Sequence, residues 1–544
     1  MSRYSFNHSA LGEIHGIERG QDVVQFRGIP FASIPARFRQ SVLLTSLPHQ
    51  PFDATKPGPI CPQLTSQTFP AFWEGPLATD GIALEMPSPD EFECLNLNIT
   101  APRECLEGQK NVPVLFFIHG GGFTVGSTSL QVSGREMYDA LRLVQRGLAD
   151  GRPLVVVSIN YRLGPLGFLA SKELEAFNKC HNEPVGNYGL HDQRQALEWV
   201  SRFIGAFGGD ANNVTLQGGS AGGTSCHFQA HFPGFKAKRA ILSSGTSLAL
   251  GAMPLSYLQD KYDYFARKFC PAEAEGEAAV ASLQSVPVDE FVNKPITAFY
   301  NPLIDNEWIM GRTATALQNS PTSVELMVGS CAFEEDLTLS LMGAGDRNNP
   351  RSDQYLRDLR QEMIETGSLN TNFENMLSPP VLEAYGAGET LTTPSQDLET
   401  WAKFLADVVF RIPPIIIGMV SAKSKVYVYD FQATNPFPGW TLGYNKSNHA
   451  ISDLFFFNVA EDLVPEKHQA EYSGAVRELQ RTWIKFCYGE LGWEPFNRED
   501  EESLGPVYAL ANHGKLTKHE SLESALGAET VRRWKSVISM AERL

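Results

Sequence analysis

Basic residues are scarce in this chain: 45 Lys and Arg stand against 62 Asp and Glu, a formal net charge of −17 over 544 residues. No basic block interrupts the deficit, so the phosphate-neutralising footprint of a nucleic-acid binder is missing. Cys-x-x-Cys pairs are absent as well. The eight cysteines, Cys61, Cys94, Cys105, Cys180, Cys226, Cys270, Cys331 and Cys487, fall at no spacing that a zinc site uses. Long apolar runs are missing too: a stretch such as Leu154 to Ile159 falls far short of the roughly 18 residues that span a bilayer. Met1 to His8 also lacks the apolar segment of about 7–15 residues that an export signal needs. These absences predict a cytoplasmic chain with no nucleic-acid, metal or membrane partner. The sequons at Asn7, Asn98, Asn213 and Asn445 are then expected to stay unglycosylated. There is no internal repeat and no low-complexity tract.

What the chain does have is glycine arranged around one serine. Thr215 to Gly223 reads Thr-Leu-Gln-Gly-Gly-Ser-Ala-Gly-Gly, with Gly218 and Gly222 two residues either side of Ser220. It follows a short apolar run and precedes a plausible helix, so strand, sharp turn and helix are predicted, with the serine hydroxyl lifted clear of the sheet. Glycine is needed where a side chain would clash in so tight a turn. G-x-S-x-G alone is weak, since 46 Gly in this chain give about 0.3 chance occurrences. His119-Gly120-Gly121-Gly122-Phe123 is rarer, on the order of 0.01 by chance, and directly follows the buried-strand pattern Val114 to Ile118. Together they read as a nucleophile elbow and an oxyanion loop.

The rest of the chain alternates accordingly. Phe26 to Ala32 suits an antiparallel edge. Cys94 to Ile99 alternates with period two, which predicts a half-buried strand, and Leu154 to Ile159 reads as a fully buried one. From Asp192, the residues Ala196, Val200 and Phe203 form a helical stripe, and Arg239 to Leu242, Val324 to Val328 and Lys425 to Asp430 read as further strands. Val531, Trp534, Ile538 and Ala541 mark a C-terminal packing helix. Strand and helix in turn predict a single α/β domain over 1–544, a central, mostly parallel sheet flanked by helices. Residues 250–320 and 340–410, helical and loop-rich with a Gly/Asn/Asp/Pro cluster at Gly343 to Pro350, are expected to be cap insertions over its carboxyl edge.

Phe26 to Ala32, Cys94 to Asn98, His119 to Phe123, Asn160 to Gly167, Gly186 to Gln193 and Gly218 to Gly223 resemble the type-B carboxylesterase and cholinesterase family, an α/β-hydrolase family, and the resemblance runs along nearly the whole chain. The resemblance implies a serine, an acid and a histidine in that chain order. Such relatives carry the acid five residues past the glycine of a Val-Gly that ends a strand; here Val328-Gly329 leads to Glu334, and Glu335 stands where the family often has glycine. The late-loop histidine matches His449 in the segment Asn448 to Phe457, which looks like that of filamentous-fungal members. His227 lies seven residues after Ser220 on the same predicted helix, a rise of about 10 Å that puts it out of reach. His119 is expected to support its loop.

The resemblance further implies oxyanion donors at Gly121, Gly122 and Ala221, no metal or organic cofactor, and a disulfide between Cys61 and Cys94. It departs at Gly219, where many relatives carry glutamate before the serine. The chemistry suits these residue types. An imidazole must take the hydroxyl proton, a carboxylate must hold the imidazole's tautomer, and backbone donors must meet the developing oxyanion. The implied activity is hydrolysis of a small-molecule carboxylic ester through an acyl-enzyme. Acyl transfer or lactone formation by the same trio is the alternative, and a non-catalytic binding protein on this fold the third reading.

Overall fold

Continuous apolar runs such as Val114 to Ile118 need cover on both faces, and the structure provides it. The computed structural model describes residues 2–64, 87–293, 300–311, 323–341, 379–386 and 398–541, apart from 109, 133, 233, 235, 236, 440–442 and 501. Thirteen strands among these residues form one mixed sheet. In chain order they are β1 (Arg3–His8), β2 (Gly12–Arg19), β3 (Val23–Pro30), β4 (Phe52–Asp53), β5 (Asn96–Pro102), β6 (Val112–Ile118) and β7 (Val155–Ile159). There follow β8 (Gly209–Gly219), β9 (Arg239–Ser243), β10 (Glu325–Cys331), β11 (Val426–Phe431), β12 (Val507–Leu510) and β13 (Leu516–His519). The spatial order is β1-β2-β3-β5-β7-β6-β8-β9-β10-β11-β12-β13, with β4 beside β2. From β7 to β12 every neighbouring pair is parallel, while β1, β2, β3, β5 and β13 join antiparallel at the flanks.

Alternate residues of β6 feed two cores. Val114, Phe116 and Ile118 pack on one face with Trp199 of helix α1 (Tyr188–Phe203), Cys226 of α2 (Ala221–Ala230), and Val531 and Trp534 of the C-terminal helix. Leu115 and Phe117 pack on the other, with Leu479 and Trp483 of the helix Gln469–Tyr488. All seven residues of β6 are buried, which is the burial that a parallel sheet with covered faces requires.

Two expectations need correction. β5 is buried on both sides rather than on one, with only Asn98 partly exposed. Its inward polar side chains are satisfied: Asn98 Oδ1 accepts from the Gly28 N–H at 2.9 Å, and Asn96 Nδ2 donates to Pro59 O at 2.8 Å. Cys61 and Cys94 are free thiols, buried and in contact with each other. Each has its own backbone partner, Cys61 Sγ accepting from the Leu163 N–H at 3.3 Å and Cys94 Sγ donating to Glu91 O at 3.7 Å. The segment before Cys94 is tied down by the Arg37–Glu91 pair, with contacts of 2.7 and 2.8 Å.

The stretch 250–320 contains the helices Leu255–Phe269, Gly276–Ser285 and Val288–Val292. The stretch 340–410 contains Pro379–Ala384 and Leu398–Ala406, and a π-helical turn at Asp407–Arg411 follows. Residues 294–299, 312–322, 342–378 and 387–397, the Gly343 to Pro350 cluster among them, lie outside the described residues.

One buried ion pair fixes the loop after β7 to α1. Arg162 reaches Asp192 with Nε–Oδ2 and Nη2–Oδ1 distances of 2.7 Å, and its Nη1 donates to Arg39 O at 2.7 Å. Both side chains are almost fully buried. Asp192→Asn therefore leaves a guanidinium uncompensated, and we expect a loss of about 3–5 kcal/mol. Urea unfolding checks this as a lowered midpoint at unchanged slope.

Candidate active site

β8 ends at Gly219 and α2 begins at Ala221, so Ser220 is itself the turn. Its backbone stands at φ 55 and ψ −127, a conformation that costs a residue with a side chain about 1–3 kcal/mol. Neighbouring groups enforce it: the Ser220 N–H donates to Ser243 O at 2.8 Å, and Ser220 O accepts from the Thr224 N–H at 3.0 Å. The turn is packed too tightly for side chains. A Cβ on Gly222 would stand 2.1 Å from Ile118 O, and one on Gly120 would stand 2.7 Å from Gly219 O and 3.2 Å from Ser220 Cβ. Glycine at these positions is what lets the loop after β6 lie against the serine.

Two carbonyls of that loop are taken up by backbone donors. Gly121 O accepts from the N–H groups of Thr124 and Val125 at 3.0 Å each, and Gly122 O accepts from the Tyr300 N–H at 3.3 Å. Among the described residues the N–H groups of Gly121 and Gly122 donate to no backbone carbonyl in the loops. The N–H of Ala221 is one of the unpaired donors that open any helix.

Glu334 and His449 meet across 115 residues of chain: His449 Nδ1–H donates to Glu334 Oε2 at 2.5 Å. Glu334 Oε1 accepts from Ser244 Oγ at 2.6 Å and from the Cys331 N–H at 2.9 Å. Ser244 directly follows Ser243, the backbone partner of Ser220, so a continuous bonded path links the elbow to the imidazole. β10 runs on to Cys331, three residues past Val328, the expected strand end, and its last N–H is the one that fixes Glu334. The His449 N–H donates to Asp336 Oδ1 at 3.0 Å, and the Phe410 ring from the π-helical turn packs on the imidazole with centroids 4.6 Å apart.

Glu334 and His449 are both buried. Burial opposes a charged imidazole, but the carboxyls of Glu334, Asp336 and Asp453 outweigh it and hold His449 above its ordinary range. Burial also pushes Asp336 and Asp453 up to about 7. His119 and His227 are engaged elsewhere. His119 Nδ1–H donates to Gly120 O at 2.8 Å, its ring stacks on Tyr161 at 4.5 Å, and burial takes it down to about 4. His227 Nδ1 is bonded to Ser247, 2.9 Å from its hydroxyl.

Among the described residues no three His, Cys, Asp or Glu are grouped as metal ligands, and no helix is long and apolar enough to cross a membrane. An open groove of about 710 Å³ bordered by Glu198, Lys238, Arg239 and Glu325 lies at the amino ends of β9 and β10, the opposite sheet edge from Ser220.

A sequence model described as the carboxylesterase family matches residues 7–517. The chain belongs to that family. This carboxylesterase is 26% identical to the para-nitrobenzyl esterase of Bacillus subtilis over 520 residues, covering 89% of this chain and 91% of that protein. It is 37% identical to the bile salt-activated lipase of Mus musculus over 473 residues, 81% of this chain and 73% of the relative. A solved structure of PNB esterase superposes with a TM-score of 0.72 at 24% identity, covering 98% of this chain and all of that one, which shows the shared α/β-hydrolase fold.

Ser244, Asp336, Phe410 and Asp453 surround the carboxylesterase's trio without having been singled out in its sequence. Only Asp453 left a trace there, as an acid inside the mostly apolar run Ile451 to Phe457.

Proposed function

We propose that this carboxylesterase cleaves small-molecule carboxylic esters with Ser220 as nucleophile, His449 as general base and Glu334 as the acid that orients it. The bonded path from the Ser220 backbone through Ser243, Ser244 and Glu334 to His449 Nδ1 carries this reading. Nδ1 is committed to the carboxylate, so the proton of the serine hydroxyl goes to Nε2. Serine oxygen attacks the ester carbonyl, the oxyanion is met by the N–H groups of Gly121, Gly122 and Ala221, and His449 returns the proton to the departing alcohol. Water then repeats the sequence on the acyl-enzyme, releasing the acid.

In this reading residues 250–320 and 340–410 cap the site within a single domain. The first insertion follows β9 and touches the oxyanion loop through Tyr300, and the second follows β10 and touches the base through Phe410. Incubation with a phenyl ester in the presence of a competing alcohol is expected to release acid and phenol in equal amounts. Transfer of the acyl group to the alcohol as the main product would replace hydrolysis by acyl transfer. No acyl-enzyme and no product would leave a binding protein.

A further inference from the structure

Gly219, the residue before Ser220, has no room for a side chain, and a carboxyl group fills that room. A Cβ on Gly219 would stand 2.3 Å from Asp453 Oδ2 and 3.0 Å from its Oδ1 and Cγ. The acid therefore lies against the backbone that leads into the nucleophile. Asp453 sits in the first turn of the helix Ile451–Phe457, four residues after His449, and is 3% exposed. Its backbone is fixed by a 3.1 Å bond from its N–H to Ala450 O, Ala450 itself being left-handed at φ 61.

The titratable groups that face Asp453 are His449 from its own segment, Tyr138 from the chain after β6, and Tyr429 of β11. No Lys or Arg is among them. Tyr429 belongs to the site's frame, its OH donating to Ser243 Oγ at 2.8 Å. Glu334 and Asp336 also face His449, and Arg411 stands near Glu334. A buried acid among phenols and one imidazole is costly to keep, and among the described residues its ionisable partner of opposite sign is His449.

We propose that Asp453 is a positioning residue of the ester-cleaving site: its carboxyl closes the space beside Gly219 and acts through His449, favouring the charged ring as it takes the Ser220 proton. The proposal rests on the assignment of Ser220 and His449 and adds a residue to it. Its place near neutrality suits the task, because a carboxyl that ionises at about 7 responds to the charge on the imidazole in the working range.

The test is a set of pH profiles of kcat/KM and kcat. Negative charge on Asp453 raises His449, so Asp453→Asn lowers it. The acid limb of kcat/KM then moves to lower pH by about one unit, and plateau kcat falls about tenfold with KM little changed. A second arm moves the carboxyl across the gap. Gly219→Glu alone collides with Asp453 and loses at least about hundredfold. Gly219→Glu combined with Asp453→Ala recovers to within about tenfold of the native enzyme and restores the limb. An Asp453→Asn limb that coincides with the native one, or a double variant no more active than Gly219→Glu, overturns the proposal. Phosphonate labelling of each variant separates the two readings. Native protein unlabelled at Ser220 removes the nucleophile assignment, whereas labelled variants with unmoved limbs remove Asp453 alone.

Discussion

Ser220→Ala is expected to lower ester turnover by about 10⁴- to 10⁶-fold without unfolding the protein. In the proposed mechanism the hydroxyl is the only part of the residue that the chemistry uses. Alanine carries the same Cβ into the same strained backbone, which Ser243 O and the Thr224 N–H continue to hold. The activity left over comes from the oxyanion donors and from binding, neither of which needs the hydroxyl. The covalent step can be read directly. Native protein treated with a phosphonate gains one phosphonyl mass on the peptide that contains Ser220, and the alanine variant gains none. Label on another residue, or turnover that survives the substitution, would remove Ser220 from the mechanism.

The second large effect falls on the acid. Glu334→Gln should reduce kcat by about 10⁴-fold, and the structure gives the reason. Ser244 Oγ and the Cys331 N–H both donate to Oε1, so a glutamine keeps its carbonyl oxygen there and turns its amide group toward His449. An amide N–H facing Nδ1 forces the ring proton onto Nε2, the nitrogen that has to accept from serine. Glu335→Gln should change kcat only a few-fold, because that side chain belongs to the buried set around Arg411 and Asp407. Steady-state kinetics on the two variants decides the matter, and a larger loss at Glu335 would overturn the assignment.

The parts of the site that were legible in the sequence are those that lie together in the chain. The elbow around Ser220 and the glycines after His119 are short motifs whose geometry follows from local sterics, and the folded chain lays one against the other. Glu334 and His449 came from the family pattern. Their surroundings were hidden because they are made by strand neighbours: Ser244 reaches Glu334 across 90 residues, and Asp453 reaches the Gly219 backbone from a different helix. β5 departs from its period-two pattern for a related reason. A period-two pattern reports polarity, and Asn96 and Asn98 spend their polarity on buried backbone partners that only the tertiary fold supplies.

The strand order also has a consequence in time. β6 pairs with β8 in the register Leu115 to Thr215, and β10 pairs with β11 in the register Leu326 to Val426. Each parallel seam closes a loop of about a hundred residues, and such non-local closures are slow. On a ribosome the elbow and its oxyanion loop emerge early, while the base waits for residues past β11. In the proposed mechanism the chain thus acquires its strained serine well before the imidazole that would activate it, and esterolytic competence comes late in synthesis.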